Sequence, residues 1–227
     1  MTTRLRRLGL VLAVIGLVFG AGGAYAFIKT QEGYNSLNAF SAAQNVKLSY
    51  NDQGQLVDRG ETEGAQAIMS LLVEDWGYPV VAGDLNPNDP IVNTASEYMF
   101  QMATVAYHTL HSTQTVVLTD DVEYKGEVFK AGTYQVDVAG RYFAEFDRSH
   151  PLDGPARAQA WSPTAHALIG ELGVGTVTAS ALQMGLGLAG LFAALGFTFV
   201  LSGLGLVWAA RPETERARVL RPAGVPA

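Results

Sequence analysis

Two imidazoles three residues apart, His108 and His111, come nearest in this sequence to a reactive pair. On a helix, side chains at that spacing share a face, so both rings could meet one metal ion. A site would need a third ligand, which His150 or His166 could bring from later in the chain. The helix that would carry the pair is amphipathic. Glu97, Gln101, Thr104, His108 and His111 form a polar stripe beside Tyr98, Met99, Met102, Val105 and Leu110. Any amphipathic helix turns such a stripe to water. Glu97 stands about 16 Å from His108 along the axis, too far to share an ion. The simpler reading is therefore a solvated or hydrogen-bonded face. A membrane-tethered metal-dependent enzyme using His108 and His111 is the rival one.

Other polar constellations are less specific. Asp84-x-Asn86-x-Asn88 resembles the opening of a calcium loop, but Pro87 interrupts it. The sixth position is Asp89 where that loop needs Gly, and the twelfth is Ala95 where it needs Glu; the segment reads as a turn. The carboxylate pairs Asp120–Asp121 and Asp147–Asp153 read as solvated acids at turns. The run from Arg141 to Pro151, followed by Arg157 and Trp161, is dense in aromatic and charged groups. It suits either an interface or a strand packed on a helix with Arg and Asp paired at its rim. The chain has no cysteine, which excludes disulfides, thiolate metal sites and a Cys nucleophile. It also has no nucleophile elbow, phosphate loop or dinucleotide fingerprint. No cofactor is implied.

The elements that would position these groups can be read from periodicity and turn residues. A helix is expected over Gln31 to Gln44. A small hairpin is expected around Asn51-Asp52-Gln53-Gly54, and a helix from Ala65 to Trp76, stopped by Gly77 and Pro79. Thr94-Ala95-Ser96-Glu97 opens the His-bearing helix as a capping box. From Thr115 onward, short β-branched and aromatic alternations predict a meander of antiparallel strands, the last from Arg141 to Phe146, with one wet face. Ser162-Pro163 starts a final helix, Ser as cap and Pro at the first helical position. The fold class expected is α+β.

Two apolar runs bracket all of this. The first extends from Leu8 to Ile28, after Arg4, Arg6 and Arg7; the second ends at Ala210, before Arg211, Arg216, Arg218 and Arg221. A bilayer core needs about 20 apolar residues as a helix, and each run is long enough. From Leu172 to Ala210 there are 39 residues without a charge. As a helix they would span roughly 58 Å, against a core of about 30 Å. The membrane is therefore expected to take Leu182 to Ala210, the earlier part leading down into it. Basic flanks stay cytoplasmic. The segment Lys29–Gln183 holds 8 basic and 19 acidic residues, a net charge of −11. The expected organisation is a cytoplasmic N-terminus (1–7), a first span (8–28), an extracytoplasmic domain (29–181), a second span (182–210) and a cytoplasmic tail (211–227). About 150 residues suffice for one core. Ala24-Tyr25-Ala26 also resembles a signal-peptidase site, but the apolar run continues past it to Ile28, which favours an uncleaved anchor.

The spans are rich in small residues. Gly16 and Gly20 form a four-residue pair in the first; Gly185, Ala189 and Ala193 repeat that spacing in the second. Such faces let helices approach closely in lipid. They predict a contact between the spans, with other membrane subunits, or with a second copy. Neither span holds an ionisable residue, which argues against an ion path. The acidic domain argues against nucleic acid. The partners expected are the lipid bilayer and membrane proteins.

The run from Gln31 to Gln44, the Glu74-Asp-Trp-Gly-Tyr-Pro segment, and Trp161-Ser-Pro through Gly170-Glu-Leu-Gly resemble a group of uncharacterised actinobacterial two-pass membrane proteins. Some of these are labelled aromatic ring-opening dioxygenases. Extradiol enzymes of that kind bind iron through two His and a carboxylate, and no such triad can be matched here. The resemblance thus implies a two-pass topology and a plasma-membrane location. The function expected is a non-catalytic accessory, scaffolding or binding role in the cell envelope.

Overall fold

The computed structural model describes residues 2–211. Of the tail expected at 211–227, residues 212–227, with Arg216, Arg218 and Arg221, lie outside the described residues. The fold is a helix-dominated α+β arrangement with two long apolar helices and a small antiparallel sheet. It divides into two units. One comprises 2–36 with 181–211, the other Leu37–Ser180.

The first unit is built from parts of helix α1 (Thr2–Gln44) and helix α5 (Pro163–Ala209), each unbroken over its 43 or 47 residues. Both are long and apolar enough to cross a membrane. Only 11% of the most apolar stretch of either helix is buried within the chain, far less than the core helix of a soluble domain would show.

In the second unit α1 ends where Asn45 turns left-handed, at φ 52°, and its N–H bonds the Ser41 carbonyl at 2.9 Å. Asparagine tolerates that conformation, so it caps the helix. The next segment folds back through Asn51, whose side-chain oxygen accepts from the N–H groups of Gln53 and Gln55. Helix α2 (Thr62–Ser70) continues into a wide π turn over Leu71–Asp75. Gly77, at φ 65°, ends it. Ile68 and Leu72 on this stretch are fully buried. The Asn86 side-chain oxygen accepts from the Asn88 N–H in a local turn.

Helix α3 (Ala95–Leu110) is keyed into this unit by Tyr98. Its hydroxyl shares a hydrogen bond with Ser41 at 2.9 Å. A Cβ at Gly175 would stand 2.5 Å from its ring, so α5 carries glycine at that contact.

The strands differ from the expected meander. β1 (Thr113–Leu118) pairs with β4 (Gly132–Asp137), and β2 (Val122–Tyr124) with β3 (Glu127–Phe129). The register Leu118↔Gly132 continues as Val122↔Phe129. The four strands therefore form one hairpin, broken once where three residues face two. Asp121 holds the break, its carboxylate accepting from the Ala131 N–H at 2.9 Å and from Lys130 at 2.7 Å. Only Lys125-Gly126 is a reversing turn, with both residues left-handed at φ 51° and 86°, the geometry that matches the twist of paired strands. Arg141–Phe146 is not a strand. Phe143–Glu145 forms a 3-10 turn in which the Glu145 carboxylate accepts from the Tyr142 N–H. Helix α4 (Asp153–Ala160) follows, and Ser162 caps α5 by accepting from the Ala165 N–H at 3.2 Å. Leu110, Val116, Val138, Phe146 and Trp161 meet in the core of this unit.

Candidate functional site

The four histidines take four separate structural roles. His108, half-buried on α3, donates from Nε2 to the Asp58 carboxylate at 3.0 Å. His111 lies just past the end of α3. It donates from Nδ1 to the Tyr107 carbonyl at 2.9 Å and stacks on the Tyr107 ring at 4.1 Å. Helical spacing thus brings both rings to Tyr107, but their polar bonds diverge. His150 accepts at Nδ1 from the N–H groups of Leu152 and Asp153, both at 3.2 Å, and so caps α4. Its ring stands edge-on to Tyr124 and Phe129. His166 donates from Nδ1 to the Ser162 carbonyl. Among the described residues, no three His, Asp or Glu side chains stand together as a metal-holding group.

The polar stripe of α3 is buried at its start, at Glu97, and exposed at its end, at His111. Glu97 is 1% exposed. One carboxylate oxygen accepts from the Asn93 and Thr94 N–H groups and from the Thr94 hydroxyl, at 2.9 to 3.0 Å. Thr94 accepts in return from the Glu97 N–H. The capping box is therefore complete and buried. Burial raises the Glu97 pKa above the ordinary carboxylate value, against the lowering effect of the donors at Asn93 and Thr94. Tyr50 is likewise raised, by burial and then by the nearby Glu97 charge. Asp153 is shifted the other way. Arg141 donates to it twice, at 3.1 and 2.6 Å, which lowers its pKa despite partial burial. Asp147 is held well below the carboxylate range, by the Tyr124 hydroxyl first. These groups tie loops and caps together.

The most regular arrangement in the molecule is the seam between α1 and α5 within the first unit. A Cβ on Gly9 would stand 2.5 Å from the Gly203 carbonyl oxygen. A Cβ on Gly16 would stand 2.6 Å from that of Gly196, and one on Gly23 would stand 3.0 Å from that of Ala189. The helices run antiparallel and meet at every seventh residue, glycine or alanine on both sides. A seven-residue repeat stays on one face only if the helices wind about each other left-handedly. Phe19 packs beside the seam against Phe192 and Phe199.

Among the small residues singled out by sequence, Gly16 and Ala189 lie in this seam. A Cβ on Gly185 would come within 2.7 Å of the Thr30 hydroxyl. Ala193 offers its backbone N 2.9 Å from a Cβ on Gly23. A Cβ on Gly20 would meet nothing within 4 Å, although its backbone lies against Gly196. The glycine and alanine contacts recur every seven residues, and the residues at four-residue spacing also lie along them. Gly9, Gly23, Gly196 and Gly203 were missed, yet their spacing is present in the sequence. Comparison with protein-family models, with curated proteins and with solved structures finds no match.

Proposed function

We propose that this chain is a two-pass membrane protein with a non-catalytic accessory or scaffolding role in the cell envelope. Its spans lie within α1 and α5, both termini are cytoplasmic, and Leu37–Ser180 stands outside. The observation that carries this reading is the division of labour on the two helices. Their contact face is glycine and alanine, while Leu17, Val18, Met184 and Phe197, each at least 65% exposed, point away from it. In water such faces would be a large aggregation-prone surface. In lipid they are the solvent-matched face, and close backbone packing supplies the association that the hydrophobic effect cannot.

The seam also favours an uncleaved first span. Gly9, Gly16 and Gly23 are matched one for one on α5, a correspondence that a discarded signal peptide would have no use for. Arg4, Arg6 and Arg7 precede the apolar run and favour a cytoplasmic N-terminus. The scaffolding reading is supported by the imidazoles and the buried Glu97 carboxylate, all engaged in bonds that hold the second unit together. Alkaline carbonate should leave the protein in the membrane fraction. Purification in a mild maltoside detergent should then recover it with a stoichiometric membrane partner or as a self-associated species. Extraction by carbonate, or a lone monomer under every mild condition, would contradict the proposal.

A further inference from the structure

The segment from Arg141 to Arg157 carries three arginines, and only one of them has an acid. Arg141 is paired bidentately with Asp153. Arg148 and Arg157 form no ion pair among the described residues. Both guanidinium groups instead lie over one ring, that of Phe143, at 4.4 Å for Arg157 and 5.5 Å for Arg148. The His166 ring stands nearly perpendicular to the same ring, 4.8 Å between centroids. Nε and Nη1 of Arg157 are closed off from solvent and make no hydrogen bond, while Nη2 is not among the enclosed atoms.

An aromatic face compensates a guanidinium far less than water or a carboxylate does. Donors enclosed without an acceptor are costly, and an anion beside the guanidinium would offset that cost. The surroundings are not short of acids, since Lys29–Gln183 is strongly negative, yet none is placed here. We propose that Arg148 and Arg157, floored by Phe143 and flanked by His166, bind a phosphate group. The planar guanidinium fork of Arg148 fits phosphate oxygens, and Arg157 would add its Nη2 and its charge. Two unpaired cations also match a phosphate carrying nearly two negative charges better than a singly charged carboxylate. The group could belong to a soluble phosphate ester or to a lipid headgroup. The site is independent of the membrane reading, and its failure would leave that reading intact.

The test is calorimetric titration of the full chain in maltoside micelles with inorganic phosphate. Saturable binding is expected, weakened at least tenfold by Arg148→Gln and by Arg157→Gln and unchanged by Arg59→Gln, an exposed arginine elsewhere. Arg148 is exposed, so its variant decides the matter if Arg157→Gln fails to fold. Repeating the titration in phosphatidylglycerol nanodiscs separates the sources. Weaker apparent phosphate binding there identifies the headgroup, and unchanged binding identifies a soluble phosphate. The absence of saturable binding to the wild type, or equal affinity in Arg148→Gln, would overturn the site.

Discussion

Gly196→Leu and Gly16→Leu unfold the helix pair at a markedly lower temperature than the wild type, whereas Gly20→Leu and Gly190→Leu leave it nearly unchanged. The difference comes from what a side chain would meet. At Gly196 a Cβ would lie 2.6 Å from the Gly20 N and 2.8 Å from the Gly16 carbonyl oxygen. At Gly16 it would lie 2.6 Å from the Gly196 carbonyl oxygen and the Val200 N. Backbone cannot rotate away as a side chain can, so the helices must separate. Overpacking that neighbours can absorb costs about 1–3 kcal/mol, and a backbone clash belongs at or above the top of that range. At Gly20 and Gly190 an added Cβ meets nothing within 4 Å. Thermal unfolding in maltoside micelles measures the contrast. Equal midpoints for Gly16→Leu and Gly20→Leu would mean that the seven-residue seam does not hold the pair together.

Glu97→Ala destabilises the second unit by roughly 2–4 kcal/mol, because it strips acceptors from enclosed donors at Asn93 and Thr94 and leaves a void. Glu97→Gln keeps the shape and one carbonyl oxygen, and costs less. The two variants also separate charge from packing through pH. The folded pKa of Glu97 is raised, chiefly by burial, above its ordinary value of 4.5. Its contribution to stability is therefore full below the unfolded pKa and is lost as pH rises through the folded one. Asp153 acts in the opposite sense. Its folded pKa lies below the ordinary 3.8 because Arg141 donates to it, so its contribution is present above that value and lost on acidification. Chemical denaturation across this range should show stability falling with pH just above the carboxylate values in the wild type, with that slope reduced in Glu97→Gln. An unchanged slope would assign the pH dependence to other groups.

What could be read from sequence divides along the reach of the interactions. The Thr94–Glu97 box and the Ser162-Pro163 helix start are local, and their residues announce them. The hairpin was harder. Asp120-Asp121 and Ala131-Gly132 look like turns as much as Lys125-Gly126 does. Only pairing across the chain shows that the first two face each other at a break. Arg141–Phe146 has strand-like residues, but the Glu145 carboxylate bonds back to Tyr142 and closes a tight turn. The partner of His108 is Asp58, fifty residues away, which no spacing rule indicates. The seam was legible in principle. Gly9, Gly16 and Gly23 stand at the same interval as Ala189, Gly196, Gly203 and Ala210. The four-residue motif drew attention to Gly16 and Gly20, which both lie against Gly196, and the seven-residue repeat carries the contact along the rest of the helices.

Membrane placement is tested most directly by labelling single cysteines, for which a chain without native cysteine is an ideal background. Val117 is 62% exposed on β1, in the second unit, and Thr3 precedes the apolar run. Intact cells expressing Val117→Cys or Thr3→Cys would be treated with a membrane-impermeant maleimide, before and after permeabilisation. The expected result is labelling of Val117→Cys in intact cells and of Thr3→Cys only once the membrane is opened. Labelling of Thr3→Cys in intact cells, or protection of Val117→Cys until permeabilisation, would contradict the proposed two-pass topology.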